Sequence, residues 1–306
     1  MSLEHIRAYL FGDVDIPAMK QAIVVDATLT PLKEKDVFVC ACKMKIGSHS
    51  LAANQGTKAE DLWSILKKNQ DSGQVLLPKK ELLLKQYQHL IDSGYERIYS
   101  IHSSYLGKEA LASPRAAKAA LGANKERVIL IDTCALPFAQ SLFVRVLREA
   151  ICEKQTKQEI DWLIKKQATL NFSFISAARM GPSLTKELAY QNKEMGSIRA
   201  QLEKQVFELR PLFSYSSQDK LLRYDSSFVT DKQAHVRLLE MIDEHILSQS
   251  RYAKRIAIEH NGRLADAKKV KKDILAIHSS APIDIDEMSL ASSALLGPEA
   301  LTVSFI

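Results

Sequence analysis

The sequence predicts an α/β protein of two units, the first on a mostly parallel sheet with helices on both faces, the second on a mixed sheet with helices. Three observations carry this. From residue 21 onward, short β-branched runs alternate with helical periods, the order that winds a parallel sheet. At 306 residues the chain has length for two domains of about 100–200 residues, each able to bury a core. Past residues 165–170 the texture changes to alternating strands around one long amphipathic stretch.

In order, Ala22 to Asp26 (AIVVD) is a continuous apolar run ending in Asp, as a buried parallel strand reads, and Val37 to Cys42 (VFVCAC) is a second. A helix is expected over Lys58 to Lys68, with Leu62, Trp63 and Leu66 on one face. Another runs from Lys79 to Ser93, with Pro78 before its first turn and Gly94 after its end. Arg97 to Ile101 (RIYSI) is a strand leading to the polar turn His102-Ser103-Ser104. A helix over Lys108 to Leu121 precedes the strand Arg127 to Asp132 (RVILID), and helices follow at about 138–153 and 156–168.

In the second half, Asn171 to Ser176 (NFSFIS) alternates as a strand does. Pro182 to Leu209 places Leu184, Leu188, Met195, Ile198, Leu202 and Val206 at helical spacing. At 1.5 Å per residue that helix is roughly 40 Å long. Leu212 to Tyr215 and Leu221 to Tyr224 bracket Ser216 to Asp219 as a hairpin. Helices near 231–247 and 263–273 alternate with strands at Arg255 to Ile258 and Ile274 to His278, and Leu301 to Ile306 closes the chain as a strand.

Composition excludes several classes. Forty-two Lys+Arg against 36 Asp+Glu leave a mild +6, which does not imply nucleic acid. The run Lys268, Lys269, Lys271 and Lys272 lacks interleaved aromatics and reads as a solvated helix face. No apolar run approaches the roughly 20 residues of a membrane span, so no stable insertion is expected. Glu4, Arg7, Asp13 and Asp15 break up the N-terminus, so a secretory leader is not expected and the location reads as cytoplasmic. Cys40, Cys42, Cys134 and Cys152 form no CxxC pair and read as reduced thiols, the first two on one face of their strand. Eleven glycines are few against a usual share of about 7%. A phosphate-cradling loop would use more, and no P-loop, GxGxxG, GxSxG or HExxH occurs. The strong short motifs for nucleotides, hydrolase serines and zinc are therefore missing, and no cofactor or metal is expected.

In a parallel sheet, ligands sit outside the carboxyl ends of the strands. The polar residues there are Asp26 and Thr28, His102 to Ser104, and Asp132 and Thr133. His102-Ser103-Ser104 reads either as a nucleophile with its base or as a hydroxyl-lined turn that bonds a polar head group or caps a helix. Neighbours on one turn rarely face each other as catalysis requires, which favours the turn. His260-Asn261-Gly262 reads as a strand-to-helix turn, and a hydrolase would pair Ser103 with His102 or His260.

These residues also resemble a family. Ile23 to Lys35 (IVVDATLTPLKEK) is similar to the IVTDSTADLP-type opening of DegV proteins, which are bacterial fatty-acid-binding proteins. Gly94 to Ser113, VILIDT at Val128 to Thr133, AARM at Ala177 to Met180, LRPLF at Leu209 to Phe213 and GPEALTVSF at Gly297 to Phe305 resemble the family's later segments. Collinearity over about residues 21–306 carries the resemblance, since no single motif is intact.

The resemblance implies two α/β domains, residues 21–167 and 168–306 after an extension of 1–20, holding a long-chain fatty acid or related lipid between them. It implies no catalysis by the binding protein itself, and a separate fatty-acid kinase subunit as partner. The family's acyl carboxyl sits on three motif positions. Here Val75 stands at the Thr of TSQPS, Ser103 or Ser104 at the Ser before LSGT, and Leu295 at the His before GPG. Arg179 keeps the Arg of GGRI, while Ala177-Ala178 replace its glycines and Glu299 the second Gly of GPG. Two donors are thus lost from a place where a buried carboxylate needs them, and Glu299 adds a like charge. The candidate ligand-binding set is Asp26, Thr28, Val75, Ser103, Ser104, Arg179 and Leu295. The alternative is an interaction protein that keeps the fold, has lost the acyl site and uses the 182–209 helix as its surface.

Overall fold

The computed structural model describes residues 19–29, 34–46, 48–53, 74–106, 108–167, 171–176, 210–248, 255–278, 281–296 and 299–306. The helices expected at 58–68 and 182–209, Arg179 and most of the 1–20 extension lie outside the described residues.

The first sheet is wholly parallel. Its strands are β1 (Gln21–Asp26), β2 (Val37–Cys40), β6 (Arg97–His102) and β7 (Val128–Asp132), in the order β2-β1-β6-β7. Between β2 and β6 come β3 (Cys42–Ile46), β4 (His49–Ala53) and β5 (Gln74–Leu76), which form a separate antiparallel sheet in the order β4-β3-β5. The apolar runs are buried on both faces, as parallel strands require. One face packs Ala22, Val24, Cys40, Ile98 and Val128 against helices α1 (Lys80–Asp92) and α2 (Ala112–Ala119). The opposite face packs Ile23, Val25, Tyr99, Ile101 and Ile131 against α3 (Pro137–Cys152) and α4 (Lys157–Gln167).

The second sheet has six strands, and alternation sets its two faces. They are β8 (Phe172–Ser176), β9 (Arg210–Ser216), β10 (Leu221–Phe228), β11 (Ile256–His260), β12 (Ile283–Glu287) and β13 (Leu301–Phe305). The order is β10-β9-β8-β13-β11-β12, antiparallel except for the β11/β12 pair, so the sheet is mixed. Phe174, Ile256, Ile258, Leu301, Val303 and Phe305 point to α5 (Asp231–Ser248) and α6 (Leu264–Ile277). The intervening residues turn toward α3 and the short α7 (Leu290–Leu296). The fold class read from the sequence is the one observed.

Several local expectations are corrected. VFVCAC is not one strand, because the chain leaves the parallel sheet at Ala41 and β3 pairs elsewhere. Cys40 and Cys42 therefore pack in different apolar clusters and not on one face. Ile274 to His278 is not a strand but the last turn of α6, whose Ala267, Val270 and Ile274 keep the i, i+3, i+7 period of a helix. The strand comes later, at β12, where Ile283 and Ile285 face one core and Asp284 and Asp286 alternate to the opposite face, toward Arg145 of α3. Over Lys108 to Leu121 only Ala112–Ala119 is α-helix, preceded by a 3₁₀ turn at Lys108–Leu111.

One partly buried histidine of the second unit sits among aromatic rings. The His245 ring of α5 stacks on Phe172 with centroids 3.9 Å apart, and Phe174 and Phe305 flank it. Burial pushes its pKa down from 6.5 to about 4. Between those values the unfolded chain holds a proton that the folded chain rejects. The stabilisation is therefore complete above pH 6.5 and is lost as pH falls toward 4. His245→Phe is expected to flatten the fall in Tm over that window, in thermal melts of both proteins. An equal slope in the variant contradicts the assignment.

Candidate functional site at the carboxyl edge of the first sheet

Because β1, β6 and β7 run parallel, Asp26, His102 and Asp132 end up on one edge. Asp26 Oδ1 accepts hydrogen bonds from the Thr28 amide, at 3.0 Å, and from the Thr28 hydroxyl. Asp26 Oδ2 lies 3.4 Å from His102 Nδ1. Ser100 and His102, two apart on β6, share a face, and His102 Nε2 lies 2.7 Å from Ser100 Oγ. Ser100 Oγ is in turn 2.7 Å from the Tyr87 hydroxyl of α1, and burial pushes that phenol's pKa up.

Ser100, His102 and Asp26 thus have the connectivity of a nucleophile, a base and an orienting acid. Their setting excludes that use in this arrangement. Ser100 and Tyr87 are 0% exposed, His102 2% and Asp26 3%, so no substrate carbonyl has a route to the serine. The pairing considered for a hydrolase, Ser103 with His102, is not made. The Ser103 hydroxyl donates to the Ala135 carbonyl and accepts from the Tyr105 amide at 3.2 Å.

The neighbouring turn is held by Asp132. Its Oδ1 accepts from the amides of Ser104, at 2.9 Å, and Cys134, at 3.0 Å. Burial raises the Asp132 pKa and these bonds from Ser104 and Cys134 lower it, with a net shift downward. Ser104 Oγ is half-buried, 3.4 Å from Cys134 Sγ. Cys134 sits at φ 50°, and its carbonyl accepts from the Tyr215 hydroxyl of β9 at 2.5 Å, so this turn touches both sheets.

A second tie crosses at α7. Ser289 caps that helix by accepting from the Ser292 amide at 3.0 Å, and its hydroxyl donates to the Thr28 carbonyl at 2.6 Å. Leu290, Ala291 and Ala294 of α7 then pack against Met44, Leu51 and Val75 of the three-stranded sheet. Val75 also touches the cluster of Ala27 and Cys42, so it stands between the β1 edge and α7. Of the expected set, Asp26, Thr28 and Val75 come together beside the helix that carries Leu295. Ser103 and Ser104 lie one strand over, at the end of β6. Ser100, Tyr87 and Ser289 were not expected here. The alternation on β6 and a serine three residues ahead of Ser292 at a helix start are the signals that point to them.

No family model matches the sequence, and no curated protein matches it. Solved structures do. A DegV family protein from Eubacterium eligens, loaded with heptadecanoic acid, superposes with TM-score 0.76 at 15% identity, over 93% of this chain and 99% of that one. A DegV family protein from Ruminococcus gnavus, refined with vaccenic acid, gives TM-score 0.74 at 14% identity, over 94% and 99%. The Fatty Acid Kinase B3 protein of Streptococcus pneumoniae, loaded with linoleic acid, gives 0.75 at 13%, over 94% and 99%. The chain has the DegV fold.

Within the DegV fold, Glu299 marks a local departure. It stands where the resemblance places a glycine, and its backbone keeps the conformation a glycine suits, at φ 56°. Its carboxylate is 60% exposed and 3.1 Å from the Arg210 guanidinium. A left-handed residue with a Cβ costs about 1–2 kcal/mol. Glu299→Gly relieves that cost and Glu299→Ala does not, while both lose the Arg210 pair. Denaturant unfolding is expected to show the Gly variant more stable than the Ala variant by about 1 kcal/mol. The reverse order refutes a strained backbone there.

Proposed function

We propose that this protein binds a single-chain lipid, a fatty acid or related acyl compound, between its two units, and presents it to a separate acyl kinase without transforming it. Residues 21–167 and 168–306 are the two units in this reading. The observation that carries it is the DegV fold itself, shared over nearly the whole chain with proteins loaded with heptadecanoic, vaccenic and linoleic acid. The Streptococcus pneumoniae neighbour belongs by its name to a fatty-acid kinase. That others are named as fatty-acid-binding proteins supports binding without catalysis, as does the burial of Ser100.

The chemistry at the edge fits a chain with one polar end. Met44, Val75, Leu290, Ala291 and Ala294 offer apolar contact beside the polar groups of Thr28, Ser103 and Ser104. Arg179 and Leu295 complete the proposed head-group set, and cytoplasmic residence belongs to the proposal too. Among the described residues, no helix is long and apolar enough to cross a membrane.

Native mass spectrometry of protein purified from a bacterial host tests the reading. A bound mass that dissociates as an acyl compound is expected. A clean ligand-free mass with no uptake of added lipids overturns it in favour of an interaction protein on the same fold. At residue level, Ser103→Ala with Ser104→Ala is expected to weaken acyl binding by about ten- to hundredfold, at about 1 kcal/mol for each lost hydrogen bond. Unchanged affinity by calorimetry removes that turn from the site.

A further inference from the structure

We propose that the outward face of the three-stranded sheet, with the chain that leads from it into α1, is a reversible docking surface for an anionic phospholipid bilayer. Register decides which residues face out. Met44 pairs with Leu51 and Val75, and all three turn inward onto α7. Alternation then sends Lys43 and Lys45 to the other side, where Lys43 stands between Ala52 and Leu76. Both lysines are exposed, and Leu76 is 39% exposed. From Leu76 the chain runs through Leu77 and Pro78 to the start of α1, which adds the exposed Lys79, Lys80 and Leu82.

The charge on this face is uncompensated. The described residues of 41–53 and 74–90 carry five lysines, Lys85 being the fifth, and one carboxylate, Glu81. None of the five lysines is ion-paired among the described residues. The excess of four positive charges compares with +6 for the whole chain of 306 residues. Like charges left together without partners repel, and a negatively charged surface relieves that repulsion.

The side-chain chemistry selects a lipid surface over an acidic protein. Protein interfaces enrich arginine, whose planar fork grips carboxylates, and are poor in lysine. All five cations here are lysines, point charges on flexible stems that match a diffuse layer of lipid phosphates. Leu76 and Leu82, exposed among them, gain by entering the apolar boundary beneath such a layer. The lysine cluster of α6 is differently placed. Asp266 and Asp273 lie on the same helix, and Lys271 donates to the Ile283 carbonyl at 2.6 Å. Docking through the sheet would bring the bilayer to the outer side of the wall whose inner side, at Met44 and Val75, packs on α7. The inference goes beyond the acyl reading and does not depend on it.

Cosedimentation of the full chain with vesicles tests this. Vesicles of phosphatidylglycerol and phosphatidylcholine in equal parts are expected to carry the protein down, and zwitterionic vesicles of phosphatidylcholine alone are not. Binding is expected to vanish in concentrated salt, where the Debye length shrinks to about 3 Å at 1 M. The variant with Lys43→Gln, Lys45→Gln and Lys79→Gln, all exposed, is expected to bind about a hundredfold more weakly. A control with Lys268→Gln, Lys269→Gln and Lys272→Gln removes the same charge from α6, where the side chains are also exposed, and is expected to bind as the unmodified protein does. Equal loss in the two variants assigns the binding to overall charge and overturns the inference. Binding to neither kind of vesicle, or to both alike, overturns it too. Each of these outcomes leaves the acyl reading standing, since native mass spectrometry judges that reading separately.

Discussion

The structure depends on α3 being buried on two faces. Its stripe of Phe143, Val144, Val146, Leu147 and Ala150 packs on the first sheet. Phe138 and Ala139, near its start, pack on the second sheet and α7. A helix with two buried faces has to satisfy two different sheets, and the two contacts differ in kind. Toward the first sheet the contact is apolar. Toward the second it is largely polar, with Ser141 on Glu259, Arg145 on Asp286 and Glu149 on Arg255. Apolar contact tolerates sliding, while paired charges and hydrogen bonds fix position, so the polar side sets the register of the two sheets. Where the pair is buried, as at Ser141 and Glu259, removing one partner costs more than the pair contributes.

That division explains where the site's polar groups come from. The second sheet turns Ser173, Glu259, Thr302 and Ser304 toward α3, and these groups are buried because the helix covers them. Ser173 and Ser304 satisfy one another at 2.8 Å. The first sheet supplies Asp26, His102 and Asp132 at its edge, each paired to a neighbour through strand ends and turns. A polar network of this kind stiffens the edge when complete. The Ser100, His102 and Asp26 array is a case where geometry resembles catalysis and burial assigns it to structure. Its distances alone would have suggested otherwise.

Much of this was legible in the sequence, for identifiable reasons. Runs such as AIVVD and RVILID are apolar throughout and end in Asp, which gives a buried parallel strand and places its acid at the edge. The convergence of Asp26, Thr28 and the His102 turn follows from that topology. What escaped was decided by contacts remote in sequence. VFVCAC has one texture from end to end, and nothing local tells the chain to change sheets at Ala41. The helix α6 absorbed Ile274 to Ile277 because Ile274 keeps contact with the strands beneath it.

Fold and site are held by demands of different strictness. Packing needs only apolar residues at the right period, a loose demand that 13–15% identity can meet over nearly the whole chain. A head-group site needs particular donors at particular positions, and one substitution changes what it accepts. Val75, packed between Ala27 and α7, contributes to the apolar clusters of this edge and offers no hydrogen bond. Glu299 makes the same point from the backbone side. The turn it occupies keeps a glycine-like φ with a charged residue in place, so the backbone geometry there does not depend on a glycine. Likeness at this level consequently speaks to backbone geometry and not to the chemistry of any polar site built on it.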